Sequence, residues 1–472
     1  MAERGNERGS VLVVVGLVTA GAACTTDPPS VATDGSTAAE TTDASSGTTA
    51  EPTSGTTSTT APTTGRPNGQ CQSNSDCISP CGFCYYGTCF EFECPPECYD
   101  DRNCGVGEIC EDDECVPIAK IPTCDRQTLT LSAIPLQDAP AGLALADLDG
   151  DDVLDLVVAE PAGGVVEILP GDGAGGFAAG TLVETGLVDL DQHVAVADLD
   201  LDGDLDLVVL QSAPTGQLSL IFGQDAMYTT PVTFTTAPAP RQVFVGPVDD
   251  DATPDIVVVD DYDSIALHLG DGMGGLVGPF NTHTGHGLGA AGVGDLDGDG
   301  RLELLAPMTA GDVLLRQYVH GPGGFAAGAA ARGIGTSPYT AALIADLLAG
   351  PTLVGTRRVS GVGNISLWPA DAQSGALPTI DVAIPGGAFV VTDADFDGDG
   401  RRDLLLLKDL SGFDLRVLYF DADGPECVQS YTLDHWATFG RIAVADVDSD
   451  GRPDVVVADA AGARVSVLRS GP

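Results

Sequence analysis

An acidic nonapeptide recurs along the C-terminal three-quarters of this chain, and its regular spacing constrains the fold more than any other feature. The clearest copy runs from Asp295 to Glu303 and reads Asp-Leu-Asp-Gly-Asp-Gly-Arg-Leu-Glu. Related loops begin at residues 147, 198, 247, 295, 346, 395 and 446, so successive spacings are 51, 49, 48, 51, 49 and 51 residues. A period in this range indicates a repeat architecture in which each unit is one supersecondary element.

The order of residue types within the loop fits a calcium ion. Side-chain oxygens at loop positions 1, 3 and 5 and the backbone carbonyl at position 7 can converge on one hard cation, which takes about 6–8 oxygen ligands. Gly300 at position 6 permits the positive φ of a sharp turn, and Glu303 at position 9 returns a carboxylate from the next segment. An EF-hand would need Glu at position 12, where the chain has Ala306. Apolar residues on both sides of the loop favour strands instead of helices.

Five of the seven loops keep the acidic pattern, and we expect each to bind calcium in a structural role. The first loop has Asp152 where glycine is expected. The third begins with Pro247 and has Ala252 in the glycine place, and the fifth, after Asp346, has lost most of the pattern, so these two are predicted to turn without metal. An Asp/Gly-rich turn without an ion is the alternative for every loop, although crowded carboxylates repel one another unless a cation lies among them. The predicted ligands are Asp147, Asp149, Asp151, Asp155, Asp198, Asp200, Asp202, Asp206, Asp295, Asp297, Asp299, Glu303, Asp395, Asp397, Asp399, Asp403, Asp446, Asp448, Asp450 and Asp454.

The segments around each loop are typical of short strands. An apolar run such as Val194–Ala197 precedes a loop, and another such as Leu207–Leu210 follows it. A third apolar run, for example Val165–Leu169, comes next, often with a glycine-rich turn such as Gly175-Gly-Phe177 after it. Each unit therefore contains about four short strands, which is the content of one propeller blade.

The repeated D-x-D-x-D-G-x-x-D loop, its flanking strands and the Gly-Gly-Phe turn together resemble the FG-GAP or VCBS repeat of integrin-alpha-type β-propellers. The resemblance covers roughly residues 126–472. It implies a ring of blades, with calcium loops between the first and second strands of a blade and a ligand surface built from other loops. The sequence thus predicts an all-β fold with a seven-bladed β-propeller over residues 125–472.

The two ends of this region are predicted to share one blade. The chain stops after the third strand of the last unit, Arg464–Leu468, which leaves that blade one strand short. The stretch Gln127–Leu131 alternates Thr and Leu before the first loop and can supply the missing strand. Such closure would hide sheet edges that otherwise invite aggregation.

The first residues have the pattern of an export signal. The apolar run Val11–Ala23 is too short to span a bilayer, and Gly21-Ala-Ala-Cys24 resembles a bacterial lipoprotein cleavage box with Gly21 in the usual Leu place. We therefore expect residues 1–24 to be a signal, Cys24 to carry a lipid anchor and the mature protein to lie at the outer surface of the cell envelope. Ordinary signal cleavage and an uncleaved segment are the alternatives.

Two further segments separate the signal from the repeats. Residues 25–70 are rich in Thr, Ser and Pro and are predicted to be a disordered linker, either unmodified or carrying O-linked sugars. Residues 71–124 contain eleven cysteines and are predicted to form a small disulfide-rich module. The spacing Cys71-x5-Cys77 with Cys84-x4-Cys89 recurs as Cys98-x5-Cys104 with Cys110-x4-Cys115, which indicates a duplication.

The cysteines also suggest one long-range link. With Cys24 lipidated, twelve cysteines remain, and the odd member of the cluster, most simply Cys124, is predicted to pair with Cys427. A redox pair at Cys81-Gly-Phe-Cys84 lacks a surrounding βαβ pattern, and a zinc site is disfavoured because exported thiols usually oxidise.

Charge and residue usage favour a binding protein over an enzyme. The net charge of −49 should repel nucleic acid and anionic lipid, so membrane contact is expected only through the lipid. The pair His283-Thr-Gly-His286 is expected in a solvated loop, and Trp368 and Trp436 are expected to pack between blades instead of stacking on a sugar. We expect a non-enzymatic, monomeric adhesion protein that binds a protein or polysaccharide ligand. A secreted polysaccharide hydrolase or lyase and an envelope assembly scaffold are the alternatives.

Overall fold

The computed structural model describes residues 121–471 apart from short gaps, together with five short strands before residue 121. The predicted signal at 1–24, Cys24, the linker at 25–70 and Trp436 lie outside the described residues. Among the residues described, no helix is long and apolar enough to cross a membrane. The gaps are 189–192, 212–214, 225–226, 252, 261, 309–314, 322, 332–338, 348–349, 360–361, 371–377, 379, 385–388, 408–413, 433–441 and 461.

Two small antiparallel hairpins lie within the cysteine-rich segment. Strand β1 pairs with β2 so that Cys84 is opposite Cys89, and β3 pairs with β4 so that Cys110 is opposite Cys115. The first hairpin belongs to a separate compact unit, Ala20–Pro96. The equivalent placement of the two Cys pairs agrees with the predicted duplication. The strands are β1 Phe83–Tyr85, β2 Thr88–Phe90, β3 Glu108–Glu111, β4 Glu114–Pro117, β5 Ala119–Lys120 and β6 Leu129–Pro135.

The rest of the chain forms seven antiparallel blades, which confirms the predicted all-β, seven-bladed propeller. In blades 1 to 6 the four main strands follow in chain order from the inside of the ring outward. Blade 2 also carries a small hairpin between its third and fourth main strands. The first three blades are β7 Gly142–Ala146, β8 Asp155–Glu160, β9 Val165–Leu169 and β10 Thr181–Glu184; β11 Val194–Ala197, β12 Asp206–Gln211, β13 Gln217–Ile221, β14 Gly223–Gln224, β15 Met227–Tyr228 and β16 Val232–Thr235; and β17 Pro240–Gly246, β18 Asp255–Asp260, β19 Ser264–Gly270 and β20 Leu276–His283.

The last blade contains both ends of the propeller. Strand β6, from the start of the region, pairs antiparallel with β35, with Leu131 opposite Leu468. The predicted closure is confirmed, and the closing strand extends farther than the predicted stretch, to Pro135. Blades 4 to 7 comprise β21 Gly292–Gly294, β22 Glu303–Pro307, β23 Leu315–Gly321 and β24 Gly324–Ala331; β25 Tyr339–Leu347, β26 Gly350–Val359, β27 Val362–Pro369 and β28 Ile380–Ile384; β29 Phe389–Ala394, β30 Asp403–Leu407, β31 Asp414–Asp421 and β32 Gly424–Thr432; and β33 Ile442–Ala445, β34 Asp454–Asp459, β35 Arg464–Ser470 and β6.

The core is divided among the interfaces between blades. Each interface holds its own apolar cluster, including one that joins blade 7 to blade 1 through residues such as Val456 and Val158. The second strands are buried along their whole length because each sheet packs between two others, so they read as continuous apolar runs instead of alternating ones. Trp368 is fully buried between blades 4 and 5, which confirms its predicted packing role.

The connector before the propeller runs along the outer edges of blades 5 and 6. Strand β5 pairs in parallel with β28 as a fifth strand of blade 5. A parallel bridge then joins Thr123 to Val428 in the outer strand of blade 6. Cys124 forms a disulfide with Cys427, with a Cα–Cα distance of 5.8 Å. The structure therefore confirms the predicted pairing of Cys427 with Cys124.

Candidate metal centres

The five acidic loops lie at equivalent places, between the first and second strands of blades 1, 2, 4, 6 and 7. In each loop three carboxylates approach one another so that one oxygen from each lies within 4.8 Å of the others. In blades 1, 2 and 7 these come from positions 1, 3 and 9, whereas in blades 4 and 6 they come from positions 1, 3 and 5. The fourth predicted ligand of each loop stands outside this set. The sets are Asp147, Asp149 and Asp155; Asp198, Asp200 and Asp206; Asp295, Asp297 and Asp299; Asp395, Asp397 and Asp399; and Asp446, Asp448 and Asp454.

The carboxylate at position 1 organises the turn. In blade 4, Asp295 Oδ1 accepts hydrogen bonds from the backbone N–H of Gly298 at 2.7 Å and Asp299 at 3.1 Å, and its Oδ2 accepts one from Gly300 at 2.8 Å. Asp147 and Asp395 make the same three contacts in blades 1 and 6. The backbone thus curls around the first carboxylate and brings positions 3 and 5 to the same side.

Positions 4 and 6 of each loop adopt the left-handed conformation. The sequence predicted a positive φ only at position 6. Position 4 is glycine in three loops but Leu201 in blade 2, with φ of 60°, and Ser449 in blade 7, with φ of 58°. Asp152 takes up the left-handed conformation at position 6 of the first loop, with φ of 66°, so the departure from glycine does not alter the turn. These residues accept a backbone that L-amino acids seldom adopt, and such strain often accompanies functional loops.

The carboxylate at position 9 connects the loop to the sheet. In blade 2, Asp206 Oδ2 accepts the N–H of Leu199 at 2.7 Å and its Oδ1 accepts the N–H of Gly223 at 2.8 Å, just past the third strand. Asp454 in blade 7 makes equivalent bonds to Val447 at 3.0 Å and Ser470 at 2.7 Å. Position 9 therefore ties the loop, the second strand and the end of the third strand together. Sequence reasoning assigned it only to the metal.

The third loop separates these two roles. Asp255 keeps both contacts, accepting the N–H of Val248 at 2.8 Å and of Gly270 at 2.9 Å. This loop lacks an acid at position 1 and is absent from the carboxylate sets found among the described residues. Position 9 is thus retained where the other ligands are lost. In blade 5 the first strand extends to Leu347 and the second begins at Gly350, opposite it, so the nine-residue loop is not retained.

Burial raises the pKa of the position-9 carboxyls. Burial is the main cause for Asp206 and Asp454, whose pKa rises to about 6, and for Asp403, whose pKa rises to about 7. Backbone hydrogen bonds to the same groups act in the opposite direction, and the neighbouring loop carboxylates raise the pKa further. The loops therefore concentrate negative charge that favours either a proton or a cation.

The donor set fits a hard divalent cation. All the converging ligands are carboxylate oxygens, positions 1, 3 and 5 lie at the surface, and no nitrogen or sulfur ligand is among them. Such donors suit calcium in preference to zinc or copper. Some arginines also approach the loops: Arg126 pairs with Asp397 and with Glu426, and its guanidinium lies 5.1 Å from the ring centroid of Tyr419. Sequence spacing could not reveal this contact, because Arg126 is 271 residues from Asp397.

The histidine pair offers no comparable cluster. His283 ends the outer strand of blade 3 and its side chain is 72% exposed, in reach of Asp263 at 3.8 Å. His286 is also exposed, in the turn that follows. Both histidines are solvated as predicted, but His283 belongs to strand β20, opposite Ser264, and not to a loop.

Comparisons with known proteins agree with the repeat assignment. A family model described as FG-GAP-like repeat matches residues 147–209, 248–306 and 395–457. No curated protein matches the sequence significantly. Among solved structures, two crystal structures of BBS1N in complex with ARL6DN align with this chain: one soaked with lead, at 11% identity and a TM-score of 0.47, and one soaked with mercury, at 12% identity and a TM-score of 0.48. Each alignment covers 73% of this chain and 97% of the other. The C-terminal region of this chain is thus a seven-bladed β-propeller that contains FG-GAP-like repeats.

Proposed function

We propose that this protein is a calcium-stabilised binding protein of the cell surface, exported and held at the envelope by a lipid on Cys24. The observation that carries the calcium assignment is that three carboxylates converge in each of five loops, always including positions 1 and 3, with oxygens within 4.8 Å of one another. Like charges at this separation repel, and a divalent cation among them turns the repulsion into a cross-link.

Calcium would act on the fold and not on a reaction. Each loop joins the innermost strand of a blade to its second strand, so an ion held by the converging carboxylates of the loop fixes the start of the second strand. The residues that would hold it are the five triads, and the backbone carbonyl at position 7 is a further candidate. Without the ion, each loop retains three mutually repelling carboxylates at the edge of the ring.

Thermal unfolding of the full-length protein tests this assignment. We expect excess calcium to raise the melting temperature above that in EGTA by roughly 5–15 °C, since one site at a hundredfold excess over its Kd contributes about 2.7 kcal/mol. Identical melting curves in the two conditions would exclude a structural calcium.

A matched pair of variants tests the loops individually. Asp297→Ala removes position 3 from a complete loop, whereas Asp249→Ala removes position 3 from the third loop, which is predicted to bind no metal. Calorimetry should find one high-affinity calcium fewer in the first variant and no change in the second. Equal losses in both variants, or none in either, would contradict the assignment.

A protein or polysaccharide ligand at the cell surface is the second part of the proposal. Propellers of FG-GAP-like repeats typically bind ligands, and the strongly acidic surface disfavours nucleic acid. The full-length protein, immobilised in calcium, would be exposed to an envelope extract and to surface polysaccharides and then eluted with EGTA. A defined protein or glycan in the eluate supports the proposal. An empty eluate from folded protein opposes it and favours the hydrolase or lyase alternative.

The lipid anchor has its own test. Expression in a bacterium with labelled palmitate should label the wild type and leave Cys24→Ala unlabelled. Mass spectrometry of the mature N-terminus distinguishes a lipidated Cys24 from ordinary signal cleavage, and an unmodified Cys24 would contradict the proposal.

A further inference from the structure

A groove of about 650 Å³ lies between the outer strand of blade 1 and the small hairpin of blade 2. We call it the edge groove. Its walls are all four residues of β10, Thr181–Glu184, together with the segment Met227–Pro231. Volumes of 300–1,000 Å³ are typical of ligand sites. Asp149 and Asp155 of the first calcium loop also line it.

The groove runs along the edge of a strand. Successive side chains of a strand point to opposite faces, so a groove lined by all four residues of β10 includes the backbone edge of that strand, and Ile168 of β9 extends the groove onto one face of the blade. Strand β10 is the last strand of its sheet and pairs with β9, from Thr181 opposite Ile168 to Glu184 opposite Val165. Within the described residues no strand pairs with its other side, so the outer backbone edge of β10 is open to an added strand.

The propeller already accepts an added segment at this position of other blades. In blade 5 the outer strand β28 is extended by β5, and in blade 6 the outer strand exchanges backbone hydrogen bonds with the connector. There, Val428 N–H donates to the Pro122 carbonyl at 2.9 Å, and Cys124 N–H donates to the Val428 carbonyl at 3.1 Å. The outer edge of blade 1 has the same geometry without such a cover among the residues that the structure describes.

The residues that line the groove are apolar and acidic, which determines the kind of peptide segment that could bind there. Leu182 and Met227 are 47% and 69% exposed, and Tyr228 and Pro231 add further apolar surface. Asp149, Asp155 and Glu184 bring negative charge, while no Lys or Arg is among the described residues that line it. Natural edge strands are often protected by a lysine or a proline, and Thr181–Glu184 contains neither. A segment that alternates apolar and basic residues matches both properties.

We propose that the edge groove binds an extended, basic peptide segment of a partner protein, which adds to β10 as a fifth strand of blade 1. This inference rests on the proposed binding function and assigns it a place and a ligand chemistry. Main-chain hydrogen bonds to β10 would supply affinity, as in other cases of strand addition. Apolar side chains would contact Met227 and Tyr228, and basic ones would face Glu184 and the first loop.

Fluorescence anisotropy with three labelled hexapeptides tests the proposal on the full-length protein in calcium. The probe alternates lysine and valine; a second peptide alternates glutamate and valine; a third is the lysine peptide with proline at its fourth position. We expect the first to bind and the other two to bind at least tenfold more weakly, because one has the wrong charge and the other cannot complete the strand ladder. Equal binding of the lysine and proline peptides would show unspecific charge attraction and overturn the inference.

Matched variants locate the binding. Met227→Lys places a repelling charge on the groove, and Met273→Lys places the same charge at an 81% exposed position of blade 3. We expect the first to weaken peptide binding at least tenfold and the second to leave it within twofold, with calcium-dependent melting unchanged in both. No binding by a protein that melts normally, or equal loss in both variants, would overturn the inference. The EGTA elution experiment tests the proposed binding function separately, because it detects a ligand bound at any surface of the protein.

Discussion

The buried carboxylate at loop position 9 shows how one residue type serves two purposes within a repeat. Asp255 makes the same backbone contacts as Asp206, although its loop has lost the acid at position 1. Its carboxylate accepts one N–H from the loop and one from the end of the third strand, and without it the buried N–H of Val248 and the partly buried N–H of Gly270 would lose their acceptor. Position 9 is therefore part of the blade even where no metal is expected.

Replacing Asp255 should destabilise the propeller without affecting metal binding. Asp255→Ala leaves the N–H groups of Val248 and Gly270 without their acceptor, and each unsatisfied buried group costs about 1–3 kcal/mol. We expect a loss of roughly 2–4 kcal/mol in urea unfolding with the calcium stoichiometry unchanged. Asp251→Ala, at an exposed position of the same loop, is the control. Equal unfolding midpoints for the two variants would contradict the role assigned to Asp255.

A second residue-scale prediction concerns a buried carboxyl pair in blade 1. Glu160 and Glu167 lie on the same face of neighbouring strands, both are buried, and each has one oxygen without a hydrogen-bond partner. Burial, followed by the hydrogen bond and charge of Glu167, raises the pKa of Glu160 to about 7. The folded state thus binds a proton more tightly than the unfolded state, so stability falls as pH rises from about 4.5 to 7 and then levels off.

Glu160→Gln should remove this component of the pH dependence. Measured in saturating calcium between pH 5.5 and 8.5, the variant should gain on the order of 1–3 kcal/mol relative to wild type at the alkaline end. Glu184→Gln, on the exposed outer strand of the same blade, should leave the profile unchanged. A parallel pH profile for Glu160→Gln and wild type would contradict the raised pKa of Glu160.

Residue types and spacing predicted which loops gather carboxylates, because the ligands lie within nine residues and local chain geometry decides their convergence. The structural role of position 9 could not be predicted in the same way. Its partner, for example Gly171 for Asp155, is 16 residues away and is set by the register of three strands. The one indication in the sequence was that position 9 stays acidic in the third loop, as Asp255, where other ligand positions have changed.

At the scale of elements, closure of the ring depends on a single strand. Strand β6 is the first strand of the propeller in sequence and the outer strand of its last blade. It covers β35 along seven paired positions, from Leu129 opposite Ser470 to Pro135 opposite Arg464. Without it the apolar cluster between blades 7 and 1 loses Ile134 from its margin.

Deletion of residues 129–135 should open the ring. We expect the truncated protein to lose cooperative thermal unfolding or to associate through the exposed edge of β35. Calorimetry and light scattering would report the two outcomes. Replacement of residues 129–135 by a different alternating Thr/Val strand should restore the wild-type behaviour, because pairing and not identity is required. A truncated protein that melts like the parent would contradict this account.

Regular elements were predictable and irregular ones were not. The fifty-residue period fixed the number of blades because each blade must bury both faces against neighbours. Among the described residues, β5 is the only strand added to the outside of a blade, and the small hairpin β14–β15 is matched in blade 1 by a single bridge, Gly171–Phe177, so periodicity gave little indication of either. Strand β5 extends the outer edge of a blade, and the hairpin β14–β15 lines the groove in which the inferred peptide site lies.

At the scale of the whole molecule, the disulfide between Cys124 and Cys427 closes a loop of 303 residues. Chain-entropy arguments assign roughly 5–6 kcal/mol to a link of this span. A variant with both cysteines changed to serine should therefore unfold at lower denaturant concentration while retaining its calcium response. Unchanged unfolding midpoints under non-reducing conditions would show that the other contacts of the connector, including those of Arg126, already supply the closure.

The position of this link also determines how the molecule would carry mechanical load. A pull from the N-terminal side reaches Cys124 before it reaches the closing strand β6, and the covalent bond passes it to Cys427 in the outer strand of blade 6. The seven residues that complete the ring therefore lie off the direct path of force. A ligand held on the propeller and an attachment before residue 124 could be drawn apart without peeling the strand that keeps the ring closed.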